Sequence, residues 1–139
     1  MLKDLSAYFE PPLELPVGDR VFVSQPPSKD TGLKLATINA VGVAVYSASL
    51  GTCQTCGRDG NVELPDETKR ILESVGDTDV AELALGKGTY DEMIEAGVPA
   101  PHIDTLGLYA LYYWTVGEDT ADQIMAARHG GQVEQGPKA

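Results

Sequence analysis

Residues 99–117 read PAPHIDTLGLYALYYWTVG, and the way this stretch folds decides the architecture of the chain. Pro99 and Pro101 lack an N–H that a first helical turn does not need, so they suit a helix start. Gly117 is a stop signal. The spacing predicts a helix from about Pro101 to Val116. Ile103, Leu106, Ala110, Tyr113 and Trp114 recur at three- and four-residue steps, on or near one face. Gly107 lies within that face, where a missing side chain lets another helix approach. Leu108, Tyr109, Leu111 and Tyr112 leave the other faces apolar too. Tyr109, Tyr112, Tyr113 and Trp114 cannot all face one core. Tyrosine and tryptophan combine large apolar area with a polar tip, which favours them at interfaces.

Helical patterns continue on both sides. EDTADQIMAARHG (118–130) predicts a final amphipathic helix around Ile124 and Met125. Residues 130–139 are polar and glycine-rich and read as a flexible tail. Upstream, TYDEMIEAG (89–97) has capping-box spacing at Thr89 and Glu92, with Tyr90, Met93 and Ile94 on one side. DVAELALG (79–86) repeats the spacing at Asp79 and Glu82. LPDETKRILESVG (64–76) predicts a short amphipathic helix with Ile71, Leu72 and Val75 as its stripe.

A longer helix is predicted from Thr31 to Leu50, with Ser28 or Asp30 as N-cap. Its second half, INAVGVAVYSASL (38–50), is apolar nearly all round, so it is either central in the core or covered by a partner. Gly42 suits close helix approach.

The N-terminal part differs. Leu2 to Phe9 reads as a short helical turn ended by Pro11 and Pro12. LELPVGDRVFV (13–23) alternates like two strands joined at Gly18-Asp19. A two-residue loop would pair Phe22 with Leu15 and send Val21 and Val23 to the other side. A three-residue loop, Gly18 to Arg20, would gather Leu13, Leu15, Val17, Val21 and Val23 on one face. The second arrangement is expected, because it unites more aliphatic side chains. Pro16 cannot donate a ladder hydrogen bond, so its strand is an edge. The expected fold is mainly α: one domain over residues 1–129, with five or six helices and a hairpin at 12–24.

The 139 residues suit one modest core. With 42% hydrophobic and 22% charged residues, the composition is that of a globular chain. A net charge of −11 without a basic cluster disfavours nucleic acid and anionic membrane surfaces as partners. No signal-like opening or bilayer-length apolar run is apparent, and a cytosolic setting is expected.

The two cysteines form Cys53-x-x-Cys56-Gly57. A structural zinc site wants four ligands, and this is half of one. His102, His129 or a second copy of the chain could complete it. A redox pair needs its first thiol at a helix N-terminus beside a strand, which is not the predicted setting. A tight loop between helices is the favoured reading, and no metal or cofactor is expected. His102 reads as a capping or solvated residue and His129 has no assigned role. No local pairing marks the acids as catalytic, and Gly-x-Ser-x-Gly, His-Glu-x-x-His and the P-loop pattern are absent. A non-enzymatic role is expected.

FEPPLELPVGDRVFVSQPPSKDTGLKLATINAVG (9–42) resembles the opening of small tail assembly chaperones from long-tailed phages of actinobacteria. The resemblance rests on Leu15 to Gly18, Pro26 to Ser28, and Gly32, Leu33 and Leu35. LGLYALYYWTVGEDTADQIMAA (106–127) is similar to the C-terminal helical pair of the same family. It implies a protein that binds the tape measure protein, helps recruit the major tail protein and is absent from the finished virion. It also implies the shorter, non-frameshifted product, acting in the host bacterial cytoplasm. The apolar excess places the partner surface at Val41, Val45, Leu108, Tyr109 and Tyr112, with self-association also open. A structural tail or head–tail protein retained in the virion, or a small metal-stabilised interaction module, are the alternatives.

Overall fold

A computed structural model describes residue 5 and residues 9–50 and 63–128, with 46–50 described as backbone. Its elements are β1 (Leu13–Val17), β2 (Arg20–Ser24), α1 (Lys29–Leu50), α2 (Asp66–Val75), α3 (Val80–Leu85), α4 (Lys87–Glu95), α5 (Ala100–Val116) and α6 (Glu118–Arg128). The fold is thus mainly α, with six helices among the described residues and an N-terminal antiparallel hairpin. The turn predicted at 2–9 lies mostly outside the described residues. The cysteine loop, His129 and the tail at 130–139 lie wholly outside them.

α5 is the central helix, packed by α3, α6 and α1. Pro101 sits in its first turn, and Gly117 ends it at φ +92°, donating its N–H to the Tyr113 carbonyl. Ile103, Gly107, Ala110 and Leu111 are buried. Leu111 therefore belongs to the core and not to the surplus apolar surface. The reason is that neighbours on more than one side widen the buried arc of α5 beyond a single stripe. Gly107 faces Ala81 of α3, so the close approach expected at this glycine is made there.

α3 and α4 are separated by Gly86 at φ +89°, whose N–H caps the Glu82 carbonyl. Asp79 is the N-cap of α3, accepting from the Ala81 N–H at 3.0 Å and from the Tyr90 hydroxyl at 3.0 Å. The box expected at Thr89 and Glu92 is not formed. α4 begins at Lys87, and Thr89 lies inside it with its hydroxyl donated to the Val23 carbonyl of β2 at 2.6 Å. Met93 is fully buried, but Ile94 is exposed. Successive helical residues point about 100° apart, and the core covers the Met93 side.

The hairpin uses the two-residue loop and corrects the expected register. Val17 pairs with Arg20, Leu15 with Phe22 and Leu13 with Ser24. Gly18 has φ +64° and Asp19 a negative φ, as a II′ turn requires. Leu13, Leu15, Phe22 and Ser24 are buried, while Val21 and Val23 are 52% and 43% exposed. Phe22 supplies more apolar area than either valine, and the same face carries the Ser24 hydroxyl to the Leu85 carbonyl at 2.8 Å. That carbonyl ends α3, where no further turn would satisfy it. Arg20 lies 4.8 Å above the Phe22 ring and reaches Glu92 at 3.8 Å. Pro16 pairs with Val21, a position whose outward backbone faces away from the partner strand. The missing N–H there blunts the free edge of β1.

Ser28 caps α1: its Oγ accepts from the Thr31 N–H at 3.2 Å. Leu35 is fully buried and Ile38 packs on the core. Beyond that point the helix outruns the core, and Gly42, Val43 and Val45 are exposed. α2 packs on α1 but has no fully buried residue; Ile71, Leu72 and Val75 are half-buried.

Candidate functional site

The incompletely covered helical surface of α1 and α5 is the feature with most functional content. Val45 is 50% exposed, and Val41 on the same side of α1 is half-buried. α2 supplies only half-buried side chains of its own. On α5, Leu108 and Tyr109 are half-buried and pack on the core, and Tyr112 is half-buried. α1 and α5 are in contact, so the expected partner-binding residues fall on adjoining helices. They are not equivalent, because Val45 offers free area whereas Leu108 and Tyr109 already stabilise the fold.

The Tyr109 hydroxyl is committed. It donates to Asp122 of α6 at 2.8 Å, tying the α5–α6 hairpin together. Burial, the Asp122 hydrogen bond and the nearby carboxylates of Asp122 and Glu118 hold this phenol protonated well above the ordinary tyrosine range. Tyr113 packs edge-on against Trp114 with centroids 4.9 Å apart, and burial also raises its pKa. In this aromatic block the Tyr109 hydroxyl is turned to α6, whereas the Trp114 indole N–H is buried with no partner among the described residues.

Other exposed apolar residues escaped the sequence reading. Leu33 and Val43 are 53% and 57% exposed, and Val116 of α5 is 38% exposed. Leu33 and Val43 carry no local signal, since a valine or leucine in an apolar helix looks the same whether the core reaches it or not.

A cleft of about 450 Å³ lies between the Gln25–Ser28 linker and the junction of α3 and α4. Of its polar side chains, Ser28 caps α1, Thr89 holds β2 and Lys87 pairs with Asp91 at 3.2 Å, while Gln25, Thr31, Thr78 and Glu82 also line it. Among the described residues no group of three or more His, Cys, Asp or Glu side chains could hold a metal ion. His102 is exposed in the first turn of α5. Among the described residues no helix is long and apolar enough to cross a membrane.

Comparison with known families gives a match to a domain of unknown function, DUF7426, over residues 3–139. The chain belongs to the DUF7426 family. The match runs through the hairpin, the six described helices and the segment holding Cys53 and Cys56, so the DUF7426 unit includes the whole surface described above. No curated protein and no solved structure matches the chain.

Proposed function

We propose that this DUF7426 protein is a tail assembly chaperone of long-tailed actinobacterial phages, non-enzymatic, that binds the tape measure protein and assists assembly of the tail tube. The observation that carries the reading is the second half of α1, which extends past the core with Val45 half exposed and Val41 half-buried beside it. No charged residue occurs between Lys34 and Arg58, in a chain of net charge −11. A helical client with apolar stripes could lie on such a surface, in the manner of helix-in-groove recognition. The acidic remainder would keep the complex soluble. The Leu-Pro-Val-Gly hairpin and the Pro-Pro-Ser linker, on which the resemblance rests, dock on α3–α4 and cap α1 respectively. They thereby fix where α1 leaves the body. The major tail protein is the second partner, and the host cytoplasm is the place of action.

Co-expression with the tape measure protein of the same phage tests the proposal. The expected result is a soluble complex that survives two purification steps. An insoluble tape measure protein with no co-purifying partner overturns it.

A further inference from the structure

We propose that two copies of this chain associate through an antiparallel pairing of α1 with α1, along a seam formed by Leu33, Ala36, Ala40 and Val43. All four are exposed. Their spacing of three, four and three residues is the a/d repeat that keeps a stripe facing a neighbouring helix. At 100° per residue the stripe is an arc about 80° wide, and Val41 and Val45 lie well away from it on the same helix. The seam is therefore distinct from the proposed client surface, and both can be occupied together.

Two observations name a second copy as the occupant. The first is self-complementarity. An antiparallel pairing centred on Ile38 puts Leu33 opposite Val43 of the partner and Ala36 opposite Ala40 of the partner. Large meets large at both ends, and small meets small in the middle, where the backbones must come closest. An isologous contact needs this kind of match. The second is charge. Two chains of net charge −11 repel wherever acids meet. α1 has a single acid, Asp30, and two bases, Lys29 and Lys34, all near its first turns, and is uncharged from Leu35 to Leu50. Its length beyond Lys34 is a helical surface along which two copies can touch without acid facing acid. Antiparallel dipoles add a small favourable term.

The described seam spans about 15 Å, three helical turns. A strip of that length and about one helix diameter wide covers far less than the roughly 800 Å² per partner of a stable interface, so the dimer is weak, with Kd on the order of 0.1 mM. Sedimentation equilibrium of the full chain from about 5 to about 500 µM brackets that value. The expected result is a weight-average mass that rises from monomer toward dimer, and that stays monomeric throughout in Ala40→Glu. Both alanines are exposed, so Ala40→Glu is expected to fold, and circular dichroism checks it. In a Cys53→Ser/Cys56→Ser background, a mixture of Ala36→Cys and Ala40→Cys chains should cross-link faster than either alone. A monomer at every concentration, a dimer indifferent to Ala40→Glu, or faster cross-linking of Ala36→Cys with itself overturns the pairing. None of these readouts involves a client, so the outcome is separable from that of the chaperone proposal.

Discussion

A Cβ atom on Gly107 would sit 2.5 Å from the Cβ and 2.6 Å from the Cα of Ala81. The central helix and α3 meet at this point with no room for a methyl group on the α5 side. Gly107→Ala should gain about 1 kcal/mol of helix propensity and lose more through overpacking, for a net loss of about 2 kcal/mol. Adding Ala81→Gly should restore only part of it, because the Ala81 Cα remains in the way and a second helical glycine is introduced. Urea midpoints of the two variants measure both effects.

The hairpin register makes an unequal prediction for neighbouring residues. Phe22 is 1% exposed and Val21 52% exposed. Phe22→Ala should cost about 3–4 kcal/mol, and Val21→Ala less than about 1 kcal/mol. Equal losses, or a larger one at Val21, would restore the three-residue loop. Urea denaturation at one temperature decides between them.

That register also shows where sequence reasoning stops. The helical steps in residues 99–117 and the glycines that end the helices are local signals, and they placed α5, α3 and the approach at Gly107 correctly. Hairpin alternation is local as well, but which face turns inward depends on what the hairpin meets. Here it meets the end of α3 and the side of α4, which offer a carbonyl to Ser24 and a cover for Phe22. Thr89 failed as a cap for the same reason, since its hydroxyl serves β2 across 66 residues of sequence. The apolar excess of α1 was legible from composition. Its division into a core end and an exposed end was not, because the more apolar half, beyond Ile38, is the half that the core does not reach.

Ser24 offers a test of how firmly the hairpin is fixed to the helices. Its side chain is fully buried, and its partner is the Leu85 carbonyl at the end of α3. Ser24→Ala leaves that acceptor buried and unpaired, at a cost of about 1–3 kcal/mol. Thr89→Val removes a more exposed bond to the same strand and should cost less. Hydrogen exchange should show earlier opening of β1 and β2 in Ser24→Ala than in the wild type, with α5 protection changed only by the global loss.

The Tyr109–Asp122 bond predicts a response to alkali. The native state retains the phenol proton above pH 10, where an unfolded chain gives it up. The unfolded state then binds fewer protons, so stability falls as pH rises past the ordinary tyrosine range and is unaffected at neutral pH. Tyr90 and Tyr113 are shifted in the same direction. Absorbance at 295 nm should therefore show late-titrating phenols, reduced by one in Tyr109→Phe. That variant should also show a shallower loss of stability above pH 10. An unchanged late component would mean that the α5–α6 tie through Asp122 is not formed in solution.

Client binding separates exposed residues that composition treats alike. Val45 and Ile94 are 50% and 52% exposed, on α1 and α4 respectively. Replacing either by lysine should change stability by less than about 0.5 kcal/mol, because neither is fully buried. On the chaperone proposal Val45→Lys places an ammonium where an apolar client stripe would lie, and recovery of the tape measure protein should drop about tenfold or more, equivalent to about 1.4 kcal/mol. Ile94→Lys should leave recovery unchanged. Equal loss for both would point to non-specific adhesion. Equal retention would move the client off α1 altogether, to the aromatic block of α5. Mass spectrometry of purified virions completes the test, since an assembly factor should be missing from particles that contain the tape measure protein, whereas a structural component would be present in stoichiometric amount.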